Sequence, residues 1–268
     1  MRFKPYFILC LLLFAGICTV YSQSTVSEDD GWFVFSPTNT AEGGVIGMTD
    51  WLDAPAGKHG FVEIQGSGFA FEDGTPIKFW GTNHSNRGCG PEKTEADKRA
   101  AWFAKMGINA VRLHKFTYAR SAFGDTTYSS RLLDSGWERL DYYMAKLRDT
   151  GIYYGWSPIY GHRLVPGDSS RVLAYEEIRD NAGGNIISLV DFAPDLQDVV
   201  IELMVNMLNH KNPHTGLRYA DDPGLAFVEM QNEDDVFFPQ TMSQLEKCPT
   251  YKNLVCKQFS EWLRKKFL

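Results

Sequence analysis

The sequence is 268 residues long, 44% hydrophobic and 14% aromatic, and its formal net charge is −6. This composition provides enough apolar residues for one large folded domain or two small ones, and it excludes global disorder. The mild acidity argues against a nucleic-acid-binding protein, which needs clustered lysine and arginine.

Residues 1–22 have the pattern of a secretion signal. Arg2 and Lys4 supply the positive start, residues 6–20 are apolar, and Ser22 ends a small-residue cleavage site. The apolar run is short for a membrane span, although an uncleaved anchor stays open as an alternative. We therefore predict a secreted, periplasmic or extracellular protein with no stable membrane association after cleavage.

Three cysteines follow the predicted signal: Cys89, Cys248 and Cys256. Cys248 and Cys256 are close enough in sequence to pair in an oxidising compartment, and the sequence leaves their pairing open. There is no Cys-x-x-Cys motif, and Pro213 disfavours a helix that would present His210 and His214 together. We predict no metal site and no cofactor.

Residues 23–76 form a predicted N-terminal lead-in that is rich in β-structure. Residues 32–35 are an apolar run typical of a short strand. Residues 61–64 and 68–71 flank a Gln-Gly-Ser turn, which predicts a β-hairpin. A second turn at 72–76 leads into the run at 77–83.

The next elements alternate between helix and strand. Thr94 is a candidate cap for a helix to Met106, which Gly107 ends, and a strand follows at 108–113. A helix at 137–147 has apolar residues at helical spacing. Gly151 closes that helix, and a strand at 152–156 comes next.

The alternation continues after a long loop at 159–194. Asp195 is the predicted cap of a helix through residue 208, and a strand follows at 225–231. An amphipathic helix is predicted at 253–267.

Four strand–helix repeats predict an α/β fold with a parallel sheet. The dinucleotide fingerprint Gly-x-Gly-x-x-Gly and the nucleophile elbow Gly-x-Ser-x-Gly are both absent from the sequence. Long polar loops after the strands favour a TIM barrel, whose active face consists of such loops. A doubly wound open sheet is the alternative, and the strand order distinguishes the two.

The run at 225–231 ends in amides and carboxylates, with Asn232 and Glu233 directly after it. Ligands of α/β folds bind at the carboxyl ends of buried strands, so Glu233 is placed at the rim of a site. A partly desolvated carboxyl group there has a raised pKa and can act as a general acid. An ordinary strand that runs into a solvated acidic loop is the alternative interpretation.

Residues 68–83, 107–114 and 228–233 resemble the entry into strand one, strand two and strand four of clan A retaining glycoside hydrolases. Residues 51–60 resemble the lead-in of large secreted bacterial members. Within this clan, the chain resembles the cellulase- and mannanase-like enzymes of glycoside hydrolase family 5. The resemblance covers residues 50–235 and implies a (β/α)8 TIM barrel. Because only four strand–helix units are counted, residues 77–268 are interpreted as the first half of that barrel.

The resemblance also implies roles for individual residues. Glu233 matches the general acid/base, Asn232 the contact to the sugar 2-hydroxyl, and Arg112 the arginine that orients the nucleophile. His114 and Asn83 are expected to line the cleft. Arg112 as a structural ion pair and His114 as a core histidine are the alternatives. Two tryptophans, Trp80 and Trp156, are expected in the barrel core.

The predicted function is retaining hydrolysis of O-glycosyl bonds in β-linked poly- or oligosaccharides. The family places its nucleophile at the end of strand seven, so this chain is interpreted as a fragment that lacks the nucleophile and is inactive alone. The alternatives are a non-catalytic carbohydrate-binding protein and a membrane-anchored interaction protein. A carbohydrate is the expected partner.

Overall fold

A computed structural model of the protein describes Thr40, residues 44–117 and residues 123–267. The predicted signal peptide at 1–22 and the predicted strand at 32–35 lie outside the described residues.

A small antiparallel sheet precedes the helical part of the chain. Its strands, in the order β1-β2-β3, are Val62–Gln65, Gly68–Phe71 and Pro76–Ile77. Val62 pairs with Phe71 and Gln65 pairs with Gly68 across the turn at Gly66. The predicted β-hairpin is therefore confirmed.

The main sheet has four parallel strands. They are β4 (Gly81–Ser85), β5 (Ala110–His114), β6 (Tyr153–Ser157) and β7 (Leu225–Val228). Their spatial order is β4-β5-β6-β7, the order in which they occur along the chain. A doubly wound sheet reverses its order at a switch point, whereas a barrel adds each strand beside the previous one. The sheet thus has the topology of half a TIM barrel, as predicted.

Helices follow each strand. Helices α1 (Lys93–Lys105) and α2 (Asp134–Asp149) follow β4 and β5. Helices α3 (Tyr175–Ala182) and α4 (Pro194–Asn209) lie between β6 and β7. Helices α5 (Thr241–Lys247) and α6 (Pro249–Phe267) follow β7.

Several predicted boundaries were wrong. Helix α1 begins at Lys93, before the predicted cap Thr94, and it has no side-chain cap. Asp195 lies inside the first turn of α4, where its carboxylate accepts hydrogen bonds from the Leu173 amide and the Tyr251 hydroxyl, both at 2.8 Å. The predicted loop at 159–194 contains α3, and α5 was not predicted at all.

Glycines end the first two helices, as predicted. Gly107 and Gly151 follow α1 and α2 with φ values of 68° and 79°. This left-handed conformation is readily available only to glycine, and it turns the chain from each helix into the next strand.

The main hydrophobic core lies between the sheet and its helices. Strands β5 and β6 contribute Leu113 and Trp156 to it, and α1 and α2 contribute Phe103 and Leu140. The prediction that Trp156 is core is therefore confirmed. Trp80 is 71% exposed, so the same prediction for Trp80 was wrong. Trp80 precedes β4, which among the described residues pairs with β5 alone and forms an edge of the sheet.

A smaller cluster joins the two sheets. Phe71 of β2 stacks on Tyr153 at 5.2 Å, and the Tyr153 hydroxyl accepts a hydrogen bond from the Gly57 amide. Tyr153 is the first residue of β6, so the antiparallel sheet covers the amino-terminal side of the parallel sheet. The carboxyl ends of the parallel strands lie away from this contact.

In the described part of the chain, no helix combines the length and apolar character needed to cross a bilayer. The three cysteines there are free thiols; Cys89 and Cys248 are buried and Cys256 is exposed. No group of three or more potential metal ligands was found within the same residues.

Candidate functional site at the carboxyl ends of the parallel strands

Arg112, in the middle of β5, connects all four strands of the parallel sheet. Its guanidinium donates to Asn83 Oδ1 at 2.7 Å, Ser157 Oγ at 2.8 Å, Glu229 Oε2 at 2.9 Å and Asn232 Oδ1. Asn83 comes from β4, Ser157 ends β6, and Glu229 directly follows β7. We call these five residues the arginine network.

Strand register explains why the network forms. Asn83 lies opposite Arg112, and Arg112 lies opposite Gly155 on β6. Alternate residues of a strand share a face, so Arg112 and His114 point to the same side of the sheet. Gly155 leaves space on that face, and the ring of Phe227 from β7 fills it: a Cβ on Gly155 would lie 2.1 Å from the ring.

The positive charge of Arg112 is balanced by the carboxylate of Glu229 within the network. The Arg112 Nη2 lies 2.7 Å from Glu229 Oε2, and the two side chains are 28% and 32% exposed. A half-buried guanidinium with a carboxylate and three neutral acceptors uses most of its donors, which fixes its plane. Arg112 is therefore a rigid centre to which the other network side chains are attached.

His114 extends the network along β5. Its Nδ1 lies 3.0 Å from Ser157 Oγ, which also accepts from Arg112. Burial, and secondarily the positive charge of Arg112, lower the pKa of His114. The imidazole is therefore mostly neutral at neutral pH. His114 is half-buried, with hydrogen bonds to Ser157 and a ring contact to Tyr160, and it lies outside the hydrophobic core cluster.

Strand β7 ends earlier than the sequence predicted. It stops at Val228, not at residue 231. The Glu229 amide still donates a hydrogen bond to the Trp156 carbonyl of β6 at 2.7 Å. The next backbone hydrogen bond in this direction is donated by the Asn232 amide to the carbonyl of Ile159, in the loop after β6, at 3.2 Å. The intervening residues leave the ladder, and they place Asn232 and Glu233 on a loop.

The side chains of Asn232 and Glu233 differ in environment. Asn232 is 8% exposed, whereas Glu233 is exposed, with a backbone φ of 48°. A positive φ is uncommon for a residue with a side chain and is often associated with functional sites. The expectation that Glu233 is partly desolvated was wrong, because the chain turns outward after Asn232.

The desolvated carboxyl group of this loop belongs to Asp234. Burial raises its pKa to about 6, against the opposing effect of a 2.6 Å hydrogen bond from the Ser188 amide. The Thr241 hydroxyl donates to Ser188 Oγ at 2.9 Å and so ties α5 to this contact. Burial also raises the pKa of nearby Asp191. Asp234 thus holds the loop that carries Asn232 and Glu233 in place.

The sequence did not identify three of these residues. Glu229 had a signal, because it is the one charge within the apolar run at 225–231. Ser157 is a serine at a strand end, which is a weak signal. Asp234 had none, because nothing in the sequence distinguishes it from the neighbouring Asp235, which is exposed.

No family model matches the sequence, and no curated protein matches it. Solved structures similar to this chain are glycoside hydrolases. An endo-1,4-beta-mannanase from Rhizomucor miehei is 22% identical with a TM-score of 0.49, and the match covers 65% of this chain and 48% of that one. A glycoside hydrolase family 5 mannosidase from the same organism, in complex with mannosyl-fructose, is 15% identical with a TM-score of 0.49, and covers 70% and 53%.

A third similar structure is the endo-beta-1,4-mannanase from Thermotoga petrophila, at 18% identity and a TM-score of 0.43, covering 68% of this chain and 41% of that one. The chain spans about half the length of these structures. At sequence identities this low, the activities of the similar structures are not assigned to this chain. The fold is established by the order of the strands in the chain's own parallel sheet.

Proposed function

We propose that this chain carries the acid/base half of the active site of a secreted, retaining glycoside hydrolase that cleaves β-linked poly- or oligosaccharides. The observation that carries the proposal is the arginine network. It brings polar side chains from β4, β5, β6 and the segment directly after β7 to one face of the sheet, at the carboxyl ends where α/β folds bind ligands.

Asn232 is proposed to hold the sugar. Its carbonyl oxygen accepts from Arg112, so its NH2 group is the part that can donate to a sugar hydroxyl. The side chain is buried, its oxygen is held by Arg112, and the backbone amide of Asn232 donates to the Ile159 carbonyl, so the side-chain NH2 group has a fixed direction. Fixed donors are what a site needs to orient a substrate.

Glu233 is proposed as the general acid/base. It follows Asn232 directly and its side chain reaches solvent, where a glycosidic oxygen could approach it. In a retaining reaction the acid first protonates the leaving oxygen, and the resulting carboxylate then removes a proton from the attacking water.

Retaining chemistry also needs a nucleophilic carboxylate about 5–5.5 Å from the acid/base. Glu229 is a second carboxylate near the site, but its bond to Arg112 makes it a positioning group and a poor nucleophile. We propose that the nucleophile lies on a segment outside these 268 residues, as the sequence resemblance implies, and that hydrolysis belongs to the longer protein.

The test replaces Glu233 by Gln in that longer protein. We expect turnover of β-mannan and β-glucan oligosaccharides to fall about 10²- to 10⁴-fold, the usual contribution of a general acid/base. The rate at which an aryl glycoside with a good leaving group forms the glycosyl-enzyme intermediate should fall less, because that group leaves without protonation. The matched control is Glu261→Gln on the exposed side of α6, which should keep full turnover.

Unchanged turnover of the oligosaccharides in Glu233→Gln would reject Glu233 as the acid/base. Oligosaccharide binding with no hydrolysis by the unaltered longer protein would favour the non-catalytic carbohydrate-binding alternative. The anomeric configuration of the first product, followed by NMR, tests the retaining stereochemistry.

A further inference from the structure

A polar cavity with a volume of about 440 Å³ lies beside the arginine network. It is lined by residues that follow β5 and β6, among them Lys115, Tyr160 and Arg163, together with Asn185 and Gln240. Its volume is in the range of small-molecule sites. We call it the basic cavity.

Two cations line the basic cavity, and its lining residues include no carboxylate. The Lys115 ammonium lies 4.7 Å from the centre of the Tyr160 ring, and Arg163 Nη1 donates to the Gly183 carbonyl at 2.6 Å. Among the described residues, neither cation forms an ion pair with Asp or Glu. Both positive charges are therefore available to an anion within the cavity.

The cavity and the arginine network are neighbours. Lys115 follows His114 directly, and the Tyr160 ring lies 5.8 Å from the His114 ring. His114 contacts Ser157, which belongs to the network. A sugar chain held by the network can therefore place an adjoining unit in the basic cavity.

The lining chemistry fits a sugar that carries an acid group. Arg163 and Lys115 supply charge for a carboxylate, and the Asn185 and Gln240 amides supply donors and acceptors for hydroxyl groups. We propose that the basic cavity is a subsite for a uronic acid unit of the polysaccharide substrate. This proposal rests on the proposed function, because it assumes that the network binds a sugar.

The test compares binding of cellobiouronic acid with binding of cellobiose, its carboxyl-reduced form, to the full chain by titration calorimetry. We expect the acid to bind about tenfold more tightly at low salt, as one charge-assisted hydrogen bond would give. Added salt should reduce the difference, because exposed charges are screened.

Variants locate the effect. Lys115→Gln and Arg163→Gln should each remove most of the preference for the acid. Lys252→Gln and Arg264→Gln, which change exposed cations on α6, should leave it unchanged. If Arg163→Gln unfolds through loss of its contact to Gly183, Lys115→Gln and the salt dependence decide the result.

Equal binding of the two disaccharides would overturn the uronic acid subsite and leave the proposed function standing. If neither disaccharide binds, the uronic acid subsite is also overturned. The proposed function is tested separately, by comparing hydrolysis by the longer protein with hydrolysis by its Glu233→Gln variant. Acetate alone is the third probe. Acetate that binds as tightly as cellobiouronic acid, with the same loss in Lys115→Gln, would identify a site for free anions and overturn the sugar assignment.

Discussion

Single side chains in this protein are placed by contacts that are distant in sequence. Arg112 and Glu229 are 117 positions apart, and Arg112 and Asn232 are 120 apart. The sequence could place these residues near strand ends, but it could not say which of them would bond. That depends on strand register and on the residue at which β7 ends.

Asp234 makes stability depend on pH. Its folded pKa of about 6 lies above the ordinary value of 3.8, so the folded state holds the proton more tightly than the unfolded state. The contribution of Asp234 to the free energy of unfolding should therefore be highest below about pH 4, fall as the pH rises to about 6, and stay low above that. The loss is about 1–3 kcal/mol for a shift of this size.

Asp234→Asn keeps an oxygen acceptor for the Ser188 amide and removes the charge. We expect the variant to gain stability relative to the unaltered protein as the pH rises from about 4 to about 6, measured by urea unfolding. The exposed Asp149→Asn serves as the control and should show no such gain. Asp191, whose pKa burial also raises, contributes in both proteins. A constant difference across this pH range would contradict a raised pKa for Asp234.

Secondary-structure elements were predictable where local chemistry decides them. The β-hairpin follows from the turn residues between its strands. The helix ends follow from Gly107 and Gly151, which adopt the left-handed backbone conformation. The sequence did not predict α3 or the early end of β7. Helix α3 is eight residues long in a polar loop, and tertiary contacts of its two buried residues, Tyr175 and Ile178, stabilise it.

The contact between β6 and β7 depends on a glycine. Gly155→Ala would place a Cβ against the Phe227 ring, so we expect it to cost about 1–3 kcal/mol of stability. In a Phe227→Ala background the same change should cost much less, because the ring is gone, and the coupling is measured by a double-mutant cycle of urea unfolding.

The control for this cycle is Gly68→Ala in β2, where the added Cβ meets nothing closer than 4.0 Å. It should be nearly neutral with or without Phe227. Equal costs of Gly155→Ala in the two backgrounds would show that the Phe227 ring does not occupy this space in solution.

The whole molecule has an open parallel sheet. Within the described residues, β4 and β7 each have one neighbouring strand, and large apolar side chains near them are exposed, including Trp80 and Phe227. Unpaired strand edges favour association with other chains. We therefore predict that residues 23–268 self-associate and are inactive alone, as measured by light scattering and an aryl β-glycoside assay.

A charged residue introduced on the edge strand β4 tests whether unpaired strand edges cause the self-association. Ser85→Lys places a lysine on β4 and should lower the apparent mass in light scattering, whereas Ser67→Lys in the hairpin turn should not. A monodisperse monomer of the unaltered chain, with turnover abolished by Glu233→Ala, would show that this half of the site performs hydrolysis by itself.

The strand order described above also bears on how the chain folds during synthesis. After β4, which starts the parallel sheet, each of β5, β6 and β7 pairs with the strand made just before it. Each of these three strands therefore finds its neighbouring strand already present when it leaves the ribosome. Within the described residues, the strands with an open edge at each moment of growth are therefore β4 and the strand made last. Vectorial synthesis thus suits this topology, whereas refolding of the whole chain from denaturant exposes all four strands to wrong partners at once.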